Sequence, residues 1–218
     1  MGNKSYEVQL EISGPMAMWT RPDTGDAPVS YPAPTFGAAK GIFESILLSD
    51  WAEVIPTKIE VCKPIVYHNY YTNYGGTLRG DEILKSGGSY QLLAKVLIDV
   101  CYRLYALIDS IPVNYNKRGN GEEKRQQIGT TNGAHAYQDR FNKRLKKGQT
   151  YYMPCLGWKE FIPDYIGEFR ANTQVCTEVN EFMSSMLRVC FPKGKHSEWD
   201  PQYDQNVEIR NGVLAYAK

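Results

Sequence analysis

Two features of this chain have the residue types needed to act on a phosphodiester. The first is His135 with Tyr137, two proton-transfer groups in one short stretch. The second is the basic run Arg140-Phe141-Asn142-Lys143-Arg144-Leu145-Lys146-Lys147, with Lys117, Arg118, Lys124 and Arg125 upstream of it. RNA carries its own nucleophile in the 2′-hydroxyl. Cleavage then needs a base, an acid for the 5′-oxygen and positive charge near the phosphate. His, Tyr and Lys fill those roles without a metal, and the products would be a 2′,3′-cyclic phosphate and a 5′-hydroxyl. A histidine side chain is the type suited to proton transfer near neutral pH, and Lys40 or Lys143 would supply basic support. Ordinary readings stand beside these. A histidine at a helix start is a surface or capping residue, and a basic helix face is a solvated one.

Other chemistries find little in the sequence. There is no Ser-His-Asp order, P-loop or HExxH. The five cysteines, Cys62, Cys101, Cys155, Cys176 and Cys190, make no CxxC spacing, and His68, His135 and His196 are far apart. The expectation is free thiols, no metal site and no cofactor. With 25 Lys and Arg against 24 Asp and Glu, the chain lacks the basic excess of an autonomous nucleic-acid binder. Its charge is uneven, however: Glu178, Glu181, Glu198, Asp200 and Asp204 lie in the C-terminal part. No apolar run reaches membrane-spanning length, and Met1–Leu10 has no signal-peptide core, which predicts a cytoplasmic protein with no membrane contact.

The elements that must position these groups follow from periodicity. Tyr6, Val8, Leu10 and Ile12 alternate as a strand that Gly14-Pro15 ends. Thr35 is a helix N-cap, and Ala38, Ala39, Ile42, Phe43, Ile46 and Leu47 fall on one face of a helix over 36–48. Residues 54–66 are β-rich, with Pro56 and Pro64 marking edges or bends. Residues 67–90, with Tyr67, Tyr70, Tyr71 and Tyr74 and two Gly pairs, read as a long hairpin. Its tyrosines suit single-stranded RNA by stacking, or form an edge ladder or a protein interface. A strand over 94–109 puts Val100, Tyr102, Leu104, Ala106 and Ile108 on one face. Residues 110–132 form a polar excursion. Tyr137, Phe141 and Leu145 define a second helix over 134–147, stopped by Gly148, with Arg140, Lys143, Arg144 and Lys147 on its exposed side. Tyr151–Phe161 reads as a fourth strand. Val175, Val179 and Met183–Cys190 give further β structure, and Val207–Tyr216 a terminal strand.

The order strand, helix, strand, strand, helix, strand is the ferredoxin-like βαββαβ pattern of an α+β fold. Residues 1–162 form that domain, and 163–218 a small antiparallel β domain packed on it. The same architecture serves RRM domains, whose sheet stacks RNA bases. The RRM aromatic motif is absent here, and Tyr102 and Tyr105 read equally as core or edge residues.

Four segments resemble a known family. Ala17-Met18-Trp19-Thr20-Arg21-Pro22 resembles A-x-F-T-R-P. Ser30-Tyr31-Pro32-Ala33-Pro34-Thr35 with Ala38-Ala39-Lys40-Gly41-Ile42-Phe43-Glu44-Ser45-Ile46 resembles S-Y-x-V-P-T…A-x-[RK]-G-I-x-E-[AS]-I. Leu97–Ala106 resembles L-x-D-V-x-Y-x-[IV]-x-A, and Phe141–Phe161 resembles F-x-R-R…G-Q…P-x-L-G-x-[RK]-E-F. They resemble the Cas five (Cas5) family of CRISPR-associated proteins, subtype d (also called c), of type I-C systems.

The resemblance implies a RAMP fold with a thumb hairpin at about 67–90. It implies binding of the CRISPR RNA 5′ handle within a Cascade complex beside Cas seven backbone subunits and the Cas eight large subunit, with target DNA met through the complex. It also implies metal-independent endoribonuclease processing of the pre-crRNA repeat. Arg21, Tyr31 and Lys40 join Arg140, Lys143, Arg144 and Lys147 as the RNA-binding set, and His135, Tyr137 and Lys40 form the catalytic set. The chain departs from the family at Leu47, where a Tyr or His is frequent, and at Ala136-Tyr137, where Lys-His is frequent. A catalytically silent handle-binding subunit is therefore the alternative.

Overall fold

The computed structural model describes residues 5–74, 85, 90–111, 132–192 and 198–217. Strand β1 (Tyr6–Ala17) buries Val8, Leu10 and Ile12 against the helices. Helix α1 (Phe36–Ile46) starts at Thr35, whose side chain accepts from the Ala38 N–H at 3.2 Å. Strands β2 (Ala52–Val61), β3 (Tyr67–Tyr74) and β4 (Tyr90–Ser110) follow. Helix α2 (Gly133–Lys146) is capped by Asn132, whose Oδ1 accepts from the N–H groups of Ala134 and His135 at 3.1 and 3.3 Å. It ends at Gly148, in the left-handed region at φ 63°. Strands β5 (Tyr165–Gly167), β6 (Glu181–Val189), β7 (Gln202–Arg210) and β8 (Val213–Ala215) complete the chain.

All the strands join one antiparallel sheet in the order β5-β1-β4-β2-β8-β7-β6, with β3 paired to the first half of β4. The hand-over on β4 falls at Asp99, whose φ of 52° kinks the strand. Tyr90–Leu97 pair with β3, and Tyr102–Ser110 pair with β2. The two helices share one face of the sheet and touch through Phe43 and Phe141, with ring centroids 5.8 Å apart.

Three elements differ from the sequence reading. First, β1 does not stop at Gly14-Pro15 but runs on to Ala17. Pro15 has no partner in the ladder, and Met16 resumes pairing with Ile98. Gly14 is needed for close approach, since a Cβ there would lie 2.5 Å from Leu156 Cδ1. Second, Tyr151–Phe161 is irregular, and the strand beside β1 is Tyr165–Gly167, paired with Glu11–Ser13. Pro154 and Gly157, at φ 91°, break the apolar run. Third, Val207–Tyr216 is two strands. Asn211 and Gly212, at φ 49° and 76°, form the tight turn between them. The basic residues Lys117, Arg118, Lys124 and Arg125 and most of the expected thumb tip lie outside the described residues.

The sheet face away from the helices is also covered. Glu11, fully buried on β1, accepts from Arg170 Nε at 2.6 Å, from Thr173 Oγ1 at 2.8 Å and from Arg103 Nε at 3.3 Å. Arg103 also donates to the carbonyls of Arg170 and Thr173, at 2.9 and 2.7 Å. Phe169 meets Tyr105 edge-on and lies under the Arg103 guanidinium. A buried ion set of this kind is costly to break, because the survivors stay buried without a partner.

Burial opposes the Glu11 charge, but the hydrogen bonds from Arg170, Thr173 and Arg103 outweigh it and hold the carboxyl below its usual range. A depressed folded-state pKa contributes stability that is fully present above the unfolded value of about 4.3 and is lost as pH falls through the folded value. Glu11→Gln is expected to cost about 3–5 kcal/mol at pH 7 and to flatten the acid limb. Urea unfolding of both proteins at pH 7 and below pH 4 checks this; parallel pH profiles would contradict it.

Candidate RNA-binding face and acid-base site

His135 sits in the first turn of α2, exposed, edge-on to Tyr6 with ring centroids 5.6 Å apart, and its Nδ1 lies 3.8 Å from Asp139. Its neighbours Tyr6, Asn132 and Ala134, with Asp109 and Ser110, line a cleft of about 400 Å³. The register places other candidates at the same end of the sheet. Glu53 opposes Asp109 and Ala52 opposes Ser110. Lys40 reaches Glu53 at 2.6 Å, and Arg140 lies over the Trp51 ring at 5.7 Å. His135 lies against Tyr6 of β1, whereas Arg140 and Lys40 lie at Trp51 and Glu53 by the start of β2; all three are toward the end of the sheet where β2 begins and β4 ends.

Tyr137 is placed differently. It is 1% exposed, packed on Trp51 and Phe141, and its hydroxyl donates to the Leu47 carbonyl at 2.6 Å. Burial pushes its phenol well above the ordinary value, with Glu44 and Tyr152 adding to the rise. The helical period that puts Tyr137, Phe141 and Leu145 on the core side also turns this hydroxyl away from solvent. Leu47, at the departure from the family pattern, is buried as well.

The basic ridge of α2 divides into two kinds of residue. Lys143 and Lys147 are exposed. Arg144 is half-buried and donates from Nε to the Ile46 carbonyl at 2.6 Å, so its cation caps the C-terminal end of α1. Arg21 pairs with Asp23 at 2.8 Å and covers the ring of Tyr31. Tyr31 itself is buried and accepts from the Leu187 N–H at 3.1 Å, so it supports Arg21 and β6 from beneath. Glu44 on α1 was not singled out from sequence. Burial raises its pKa, Lys40 opposes the rise and Glu53 adds to it.

A second group also escaped the sequence reading. Tyr151, Tyr152 and Met153 are 60%, 44% and 68% exposed and follow the basic end of α2 directly. The N–H groups of Tyr151 and Tyr152 donate to the Ser45 carbonyl, and the Tyr152 hydroxyl donates to the Gly41 carbonyl at 2.9 Å. From there a chain of contacts continues across the surface. Trp158 Nε1 donates to Thr20, Arg21 covers Tyr31, and Tyr67 reaches the Ser30 carbonyl with Lys95 over its ring. Tyr71, four residues on and 63% exposed, shares the face of Tyr67. A repeated run in one dipeptide, Tyr151-Tyr152, was the available signal. By contrast Tyr102 is buried against Trp19, and Tyr105 lies under Phe169, so neither offers a stacking surface. Among the described residues, no three His, Cys, Asp or Glu gather to hold a metal, and no helix is long and apolar enough to cross a membrane.

Comparison with known proteins bears on this arrangement. Residues 7–213 match the profile of the family described as CRISPR-associated protein (Cas_Cas5). The chain belongs to the Cas5 family, subtype d. It is 29% identical over 170 residues to a CRISPR pre-crRNA endoribonuclease Cas5d from Mannheimia succiniciproducens, covering 71% of this chain and 69% of that protein. A protein of the same description from Thermus thermophilus is 27% identical over 155 residues, covering 71% of this chain and 61% of its own. Among solved structures, a CRISPR-associated protein superposes with a TM-score of 0.67 at 16% identity, covering 99% of this chain and 95% of that one. A functionally uncharacterized Streptococcus mutans protein does so with the same score and identity, covering 98% and 93%. At that identity the two structures speak to fold alone. In this Cas5 chain the motif residues Gly41 and Gly157 line one cleft between α1 and the segment after α2, and Gly148 ends α2.

The two roles found here separate by experiment. Tyr137→Phe is expected to lower stability by about 1–2 kcal/mol, because it strands the buried Leu47 carbonyl. Denaturant midpoints check this, and an unchanged midpoint would show that the hydroxyl bond contributes nothing.

Proposed function

We propose that this chain binds the 5′ handle of CRISPR RNA as a type I-C Cascade subunit and cuts the pre-crRNA repeat without a metal. The observation that supports the proposal is the placement of His135, Lys40 and Arg140 toward one end of the sheet, with exposed lysines on the same helix as His135 and Arg140. The description of both curated relatives as pre-crRNA endoribonucleases supports it. On this reading β5-β1-β4-β2 is the ferredoxin-like core, supported by its order and by the two crossover helices on one face. The first domain then takes in β5, and β6–β8 form the small second unit. Cas seven and Cas eight subunits are the proposed neighbours, and target DNA is met through the complex.

The reaction transfers no group from the protein. His135 takes the 2′-hydroxyl proton, and the oxygen attacks the adjacent phosphorus. The bond to the 5′-oxygen breaks, that oxygen is protonated, and Lys40 and Arg140 offset the charge on the phosphorane. Tyr137 serves by holding the Leu47 carbonyl and the α1–α2 contact, not by proton transfer. The second reading, a silent handle-binding subunit, is favoured by the burial of Leu47 and Tyr137 where relatives frequently carry reactive groups.

Wild-type protein incubated with its repeat RNA in EDTA is expected to give one cut, with a 2′,3′-cyclic phosphate upstream. A 2′-deoxy nucleotide at the cut should block cleavage and leave binding intact. His135→Ala should lose about 10²–10⁴-fold in rate. Absence of any cut by the wild type would establish the silent reading. Reversing the charges of Lys143 and Lys147 should lower the salt dependence of RNA affinity by about one unit per lost contact; an unchanged slope would remove α2 from the binding face.

A further inference from the structure

Helix α1 carries two glycines, and only one is explained by the protein's own packing. A Cβ at Gly37 would meet the Arg188 carbonyl at 3.0 Å, so β6 packs too closely for a side chain there. A Cβ at Gly41 would meet nothing within 4 Å. Glycine is the least favourable residue in a helix interior after proline, and among the described residues no close packing at its Cβ position explains Gly41. The residue lines a cleft of about 180 Å³ between α1 and the segment that follows α2. Trp19, Ile42, Ser45, Tyr152, Cys155 and Gly157 are among the other lining residues.

We propose that this cleft takes one unstacked base of a single-stranded RNA. The inference rests on the RNA-binding reading above and names where a base would sit. The volume suits one planar ring system. It is below the roughly 300–1,000 Å³ of cofactor pockets, and a cavity of about 150 Å³ is known to hold benzene. Tyr152 supplies an aromatic side wall, and Gly41, beside the Tyr152 hydroxyl, leaves the adjoining wall without a side chain. The polar side chains in the lining are already engaged. Ser45 Oγ donates to the Ile42 carbonyl at 2.6 Å, Trp19 Nε1 to Tyr102 at 3.3 Å and the Tyr152 hydroxyl to Gly41. Recognition here is therefore by shape and stacking, which tolerates any base.

Charge continuity selects RNA over an apolar side chain of a neighbouring protein. Four residues separate Lys147 from Tyr152, and the Arg144 guanidinium is fixed on the Ile46 carbonyl at the end of the same helix. Lys40 adjoins Gly41 in the chain. A phosphate on either side of a base in the cleft has a cation within reach.

The test is a binding cycle on the full chain with labelled repeat RNA and a set of the same RNA carrying one abasic nucleotide at each position in turn. Gly41→Leu fills the cleft without displacing protein atoms at its Cβ. It is expected to keep or raise the melting temperature while weakening RNA binding by at least about fivefold. One abasic position should weaken wild type to a similar extent and cost Gly41→Leu nothing further. Tyr152→Ala and Gly41→Ala in the same cycle give the answer if the leucine does not fold. Affinity equal to wild type in the folded variants, or abasic losses that simply add to theirs, would overturn the base site, even if the variants lose association with another protein. Failure of the wild type to bind any repeat RNA would instead defeat the RNA-binding reading itself, so the two failures are distinguishable.

Discussion

The surface described here depends on the contact between Gly157 and the backbone of Met18. Gly157 sits at φ 91°, and a Cβ there would fall 1.8 Å from the Met18 carbonyl oxygen. The chain can pass this closely only with hydrogen in that position. The approach is fastened by the Met18 N–H, which donates to the Leu156 carbonyl at 2.9 Å. It fixes the segment after α2 against the segment after β1, and three further contacts follow from it. Trp158 reaches Thr20, Tyr152 lies along α1 at Gly41, and Trp19 becomes a wall of the same cleft. Two distant stretches of the family pattern, Ala17–Pro22 and Pro154–Phe161, are kept together by one close backbone crossing.

The opposite face of the sheet is settled by a different force. Glu11, Arg103, Arg170 and Thr173 close over each other, and Phe169 seals Tyr105. An RRM offers bases a solvent-exposed aromatic sheet face. Here that face carries the chain's own segment beside β1 and β4, and exposed aromatic groups are found instead on the loop after α2, on β3 and around β6 and β7, with exposed cations along α2. This is why the charge asymmetry of a nearly neutral chain matters more than its sum.

Much of this was legible in the sequence, and the reasons for the rest are physical. Thr35 and Gly148 marked helix limits because capping is local chemistry, and the core stripe of α2 followed from its period. The strand expected at 151–161 failed because an apolar run says nothing of the crossing at Gly157. Only the three-dimensional neighbour, Met18, turns that run into an irregular segment. Asn211-Gly212 was visible as a dipeptide but had been passed over as part of a longer strand. At the site, His135 and the basic residues were found by type. The burial of Tyr137 was implied by its own helical face, which also carries Phe141 and Leu145. Gly41 stood in the family pattern, but its place in a cleft gave no signal, because that is recognised only once the space around the glycine is known.

The central claim is that RNA lies on the helix side of the molecule and along the 151–158 segment, not on the sheet face closed by Phe169. Photocrosslinking of the full chain to repeat RNA carrying 4-thiouridine, with the crosslinked peptides identified by mass spectrometry, tests it most directly. The account predicts crosslinks in α2 and at Tyr151–Met153, with none at Tyr105 or in residues 165–173. Crosslinks confined to Tyr105 and the 165–173 segment would contradict it.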